Sequence, residues 1–97
     1  MRDVAALPTL SELCHYVLNI LCRHDNLDPS QTLMQQAIIT RHGRPCGLFF
    51  QIQGPRLLKN YAIWAGEEDR ILFYDSNGLR FGETKLIDGP DPRKLAA

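Results

Sequence analysis

The stretch Tyr61-Ala62-Ile63-Trp64-Ala65-Gly66-Glu67-Glu68-Asp69-Arg70-Ile71-Leu72-Phe73-Tyr74-Asp75-Ser76-Asn77-Gly78 decides the fold of this chain. Two short apolar runs rich in β-branched and aromatic residues flank a charged turn, and the second ends on Asn-Gly. Such residues suit a pleated surface. Asn-Gly supplies the positive φ angles of a tight hairpin. The segment reads as two antiparallel strands followed by a second reversal. Both strands are apolar on both faces. Tyr61, Ile63 and Ala65 point one way and Ala62 and Trp64 the other, while Ile71 and Phe73 oppose Leu72 and Tyr74.

Upstream, Leu48, Phe50 and Ile52 alternate with Phe49, Gln51 and Gln53, between the turn His42-Gly43-Arg44-Pro45 and the breaker Gly54-Pro55. A further strand is expected over 35–41, after a short helical turn near 29–34 opened by Asp28-Pro29; residues 29–38 also carry a helical pattern. Downstream, Leu79 to Leu86 forms the last strand. At the start, Thr9 with Glu12 makes a capping-box pattern. Leu10, Leu13, Val17, Ile20 and Leu21 then repeat at helical spacing, and the helix should end near 24–26.

These signals predict an α+β fold: an N-terminal amphipathic helix on a four- or five-stranded antiparallel meander, since the connections between strands are short. Residues 1–8 read as a short leader, 9–87 as one domain and 88–97 as a flexible tail. One helix covers one face of a sheet. The second face must be covered by curling toward a small barrel, by the helical turn, or by another chain.

A chain of 97 residues suits a single modest core. Lys plus Arg and Asp plus Glu are 11 each, so the net charge is zero, which disfavours a dedicated nucleic-acid binder. Three widely spaced cysteines, Cys14, Cys22 and Cys46, do not form a secreted disulfide framework. No run approaches the roughly 20 apolar residues of a membrane span. The chain reads as soluble and cytoplasmic, with no membrane partner.

Candidate chemistry is sparse. Cys14, His15, Cys22 and His24 suggest a metal, but Cys14 and Cys22 stand about 12 Å apart along a helix, too far to share one ion. His42 and Cys46 could form a base and a nucleophile, but no orienting acid or oxyanion hole accompanies them. The glycines are scattered singly and make no phosphate loop. Glu67, Glu68 and Asp69 sit in a solvated turn and make poor general acids. No metal, cofactor or catalytic residue is expected, and the chain reads as a non-catalytic protein-interaction or dimerisation module. Its expected contact residues are Phe49, Tyr61, Trp64 and Tyr74. The alternative is a nucleic-acid binder that stacks bases on sheet aromatics and holds phosphates with Arg41, Arg44, Arg56 and Lys59.

Overall fold

In a computed structural model that describes residues 2–54 and 59–95, one helix lies on a six-stranded mixed sheet. The strands are β1 (Arg2–Ala6), β2 (Met34–Arg41), β3 (Arg44–Gln53), β4 (Lys59–Ala65), β5 (Arg70–Tyr74) and β6 (Arg80–Asp88). The helix α1 spans Leu10–His24, and 3-10 turns occupy Pro29–Gln31 and Pro92–Lys94. The sheet order is β1-β6-β5-β4-β3-β2.

The four- or five-stranded antiparallel meander is corrected at its beginning. β2 through β6 form an antiparallel meander of five strands, but the leader supplies a sixth that pairs parallel with β6. Four antiparallel steps separate β6 from β2, so β2 also runs parallel to β1. Parallel strands need a long crossover, and α1 is that crossover. It joins β1 at one edge to β2 at the other and lies over the strands between them. Ala5 packs against the core, and the Leu7 amide donates to the Asp88 carbonyl at 2.7 Å. Among the described residues the sheet has two free edges and does not close, so curling into a barrel is not how this chain treats its second face.

Local chemistry accounts for the element ends. Thr9 caps α1: its Oγ1 accepts from the Glu12 amide at 3.2 Å and donates to the Glu12 carboxylate at 2.9 Å. At the other end Asn26 takes a left-handed φ of 55°, and the Leu27 amide reaches back to the Cys22 carbonyl at 2.8 Å. This is a Schellman closure with Asn where glycine is usual. His42 and Gly43 both have positive φ, 53° and 76°, which is the type I′ signature of a two-residue hairpin between Arg41 and Arg44. The Asn77-Gly78 reversal differs from the expected tight turn. Only Gly78 has a positive φ (81°), and the Gly78 amide donates to the Asp75 carbonyl at 3.0 Å. The Asp75 carboxylate accepts from the Asn77 and Leu79 amides. It is a longer turn closed by a glycine bulge.

The core lies on one face of the sheet. Leu48, Phe50 and Ile52 of β3, Ala62 and Trp64 of β4, Ile71 and Phe73 of β5 and Leu86 of β6 are buried beneath Leu13, Val17, Ile20, Leu21 and Cys22 of α1. Polar ties pin the helix from several sides. Tyr16 and Thr84 share a hydroxyl hydrogen bond of 2.9 Å, Asn60 Nδ2 donates to Asp25 at 2.6 Å, and His24 stacks on Phe81 at 3.8 Å. The segment after β6, expected to be a loose tail, carries the second 3-10 turn. The ring of Pro92 lies over Gly66 and Leu95 packs against the core.

Candidate functional site

Side chains alternate along a strand, so every core residue has neighbours on the opposite face. Strand register arranges those neighbours in rows. One row runs Ala37, Phe49, Ile63, Leu72 and Glu83 across β2 to β6. A second runs Gln35, Gln51, Tyr61, Tyr74 and Arg80. A third runs Ile39, Gly47, Ala65, Arg70 and Lys85. Among the described residues no helix or turn packs over these rows. Phe49, Tyr61, Ile63, Leu72 and Tyr74 are half-buried, and what shelters them is chiefly one another.

The aromatic side chains form a continuous group. Tyr61 and Tyr74 stack with ring centroids 4.9 Å apart and planes 10° from parallel, and Phe49 tilts against Tyr61 at 5.7 Å. Such pairs add about 0.5–1.5 kcal/mol beyond area burial. They hold the rings as a fixed platform.

Charge gathers on the β5–β6 side of the face, where Arg70, Arg80 and Lys85 stand with Glu68 and Glu83. The Arg70 guanidinium lies 2.8 Å from Glu68 and 3.6 Å from Glu83, and Arg80 lies 3.9 Å from Glu83. The Glu68 carboxylate, followed by Glu83, holds the Arg70 guanidinium above its ordinary range. Toward β2 the first row stays apolar, through Ile63 and Phe49 to Ala37. A shallow hollow of about 560 Å³ there has Ile39, Ile63 and Ala65 in its wall, with Arg41, Glu67 and Glu68 also lining it. Arg41 and Glu67 pair at 3.4 Å.

Of the expected contact residues, Phe49, Tyr61 and Tyr74 come together on this face. Trp64 does not. It points to the other face and is fully buried under α1, because its neighbours in the chain, Ile63 and Ala65, take the open side. The expected phosphate contacts do not form one group. Arg41 and Arg44 flank the β2–β3 turn, Lys59 stands at the opposite end of β4, and Arg56 lies outside the described residues. Ile63, Leu72, Ala37 and Ile39 belong to the open face and were not among the expected contacts. Their signal was the period-two alternation read from Tyr61 and Phe49.

The remaining candidates for chemistry stay apart. The Cys46 thiol donates to the Ile39 carbonyl at 3.4 Å, while His42 sits in the exposed turn. Cys22 is buried, and the half-buried Cys14 accepts from the Gln36 amide at 3.5 Å. Among the described residues no three His, Cys, Asp or Glu side chains are grouped as metal ligands would be, and no helix is long and apolar enough to cross a membrane.

The fold and face therefore describe a small α+β domain with one helix-covered and one open sheet face. Compared with family models, with curated proteins and with solved structures, the chain matches none of them.

Proposed function

We propose that this chain is a non-catalytic protein-interaction module whose contact surface is the open face of the sheet. The observation that carries the reading is the aromatic platform of Phe49, Tyr61 and Tyr74, continuous with Ile63 and Leu72 on a face that no described element covers. Exposed contiguous apolar area of this kind marks protein contact sites. Aromatic side chains carry much of the binding energy at such sites. Ion pairs tie Arg70 to Glu68 and Glu83 and Arg41 to Glu67, and acids interleaved with the cations of this face disfavour a phosphate backbone, which supports a protein partner over nucleic acid.

The test uses an anilinonaphthalene sulfonate dye, which fluoresces on exposed apolar surface. The folded protein, shown by cooperative urea unfolding, should bind the dye. Replacing Tyr61→Lys and Tyr74→Lys together should remove most of that signal without abolishing cooperative unfolding. A folded protein that binds no dye would refute the reading. Retention of single-stranded RNA or DNA at low salt, lost steeply as salt rises, would replace it with the nucleic-acid reading.

A further inference from the structure

We infer that the partner surface includes the free edge of β2, and that its occupant is a second copy of this chain, paired antiparallel about a two-fold axis at Ile38. The inference extends the interaction reading from the face to the edge, and it can fail without it.

The two edges of the sheet are unlike. β1 is five residues long and carries Arg2 and Asp3. Short, charged edges resist pairing with other chains. β2 is eight residues long, contains no Lys or Pro, and has Arg41 as its one charged residue, already paired with Glu67. The irregularity between β2 and β3 places the extra residue, Cys46, in β3, so β2 itself stays regular. Among the described residues no strand lies beyond it. This is an edge without the usual protections against β-augmentation.

The sequence of β2 is self-complementary in one register. To keep both sheet faces continuous, open-side residues must oppose open-side residues. With Ile38 opposite itself, Ala37 meets Ile39 of the second copy twice over, Gln36 meets Thr40, and Gln35 meets Arg41. Apolar residues meet apolar ones, polar meet polar, and no like charges face each other. Leu33, 89% exposed just before β2, comes beside the 42–43 turn of the second copy. The apolar row Ala37, Phe49, Ile63 and Leu72 reaches the very edge of the sheet instead of stopping short of it. Pairing continues it into Ile39 of the other copy, giving one twelve-stranded sheet with a single apolar band across the junction. A net charge of zero offers no long-range repulsion to this approach.

Charge-swap variants on the open side of β2 test the register. Ala37 is exposed and Ile39 half-buried, so neither change disturbs the core under α1. Light scattering should show the wild-type mass rising from 11.0 kDa toward twice that value with concentration. The variant Ala37→Lys/Ile39→Lys should weaken self-association by about tenfold or more, because each lysine faces another across the junction. Ala37→Glu/Ile39→Glu should behave alike. An equimolar mixture of the two should recover the dimer, since opposite charges then meet at both positions.

A wild-type chain that stays monomeric at about millimolar concentration overturns the inference, while the dye test of the open face stands on its own. A dimer that both variants leave unchanged overturns it too, and places self-association on another surface. Weakened variants that do not recover on mixing overturn the register.

Discussion

The hydroxyl pair between Tyr16 and Thr84 is the most direct test of how α1 is held on the sheet. Thr84 is fully buried in β6, and its Oγ1 lies 2.9 Å from Tyr16 Oη on the half-buried flank of the helix. The two ends of this bond differ in access to water, so removing them should cost different amounts. Tyr16→Phe leaves the Thr84 hydroxyl buried without its partner, a loss of about 1–3 kcal/mol. Thr84→Val removes a bond worth about 0.5–1.5 kcal/mol net. It also places a methyl in an apolar site, which offsets roughly 0.8 kcal/mol, and Tyr16 can turn to solvent. The net cost is between about zero and 0.7 kcal/mol. Removing both hydroxyls leaves no orphan, so the double variant should be more stable than Tyr16→Phe alone by about 1 kcal/mol or more. For a domain of this size, 2 kcal/mol lowers the thermal midpoint by about 8–16 °C. Urea unfolding of the wild type, both single variants and the double variant gives the coupling directly. If Thr84→Val cost more than Tyr16→Phe, or the two effects simply added within about 0.3–0.5 kcal/mol, the bond would not be what ties helix to sheet.

Two further expectations follow from close contacts and burial. A Cβ added at Gly47 would fall on the Trp64 carbonyl, whereas Gly43 has open space and only its φ of +76° to satisfy. Gly47→Ala should therefore cost 3 kcal/mol or more, at or past the upper end of the roughly 1–3 kcal/mol of overpacking, and Gly43→Ala about 1–2 kcal/mol; urea midpoints in the reverse order would refute this. Partial burial pushes the Cys14 thiol above its ordinary value, opposed by the Gln36 amide that donates to it. Peptide-mapped alkylation near neutral pH should be slower at Cys14 than for a free thiol, and slower still in Gln36→Leu. The folded state favours the neutral thiol, so this contribution to stability is complete below the unfolded thiol's pKa and is lost as pH rises through the folded one. Cys14→Ser should flatten that alkaline decline, and an unchanged pH profile would count against the burial argument.

The helix and four strands of the meander are legible because their signals are local, while the first meander strand, Met34–Arg41, competes with a helical pattern over 29–38. The Thr9 cap, the Leu13-to-Leu21 stripe and the alternation at Leu48–Gln53 each act within a few residues, and the structure places those elements within a few residues of expectation. The open face was half legible. Two-sided apolar strands announced that a second surface existed, and Phe49, Tyr61 and Tyr74 fall on it. Alternation sets Trp64 opposite Tyr61 but does not say which of the two sides the helix covers. Which side α1 takes decides which side is bare, and α1 took the side of Trp64.

By itself, then, the sequence determined the helix, a meander of four or five strands and the existence of two apolar sheet faces, because periodicity and turn chemistry are properties of neighbouring residues. Three things waited on tertiary structure. Arg2–Ala6 is too short and too polar to announce a strand, and it becomes one only because β6 offers it a free parallel edge. That pairing makes α1 a crossover from edge to edge, commits it to one face and leaves the other open. It also places β2 at the far edge. Nothing local in Met34–Arg41 says whether it is central or terminal. Only contacts between residues distant in the chain could decide these points.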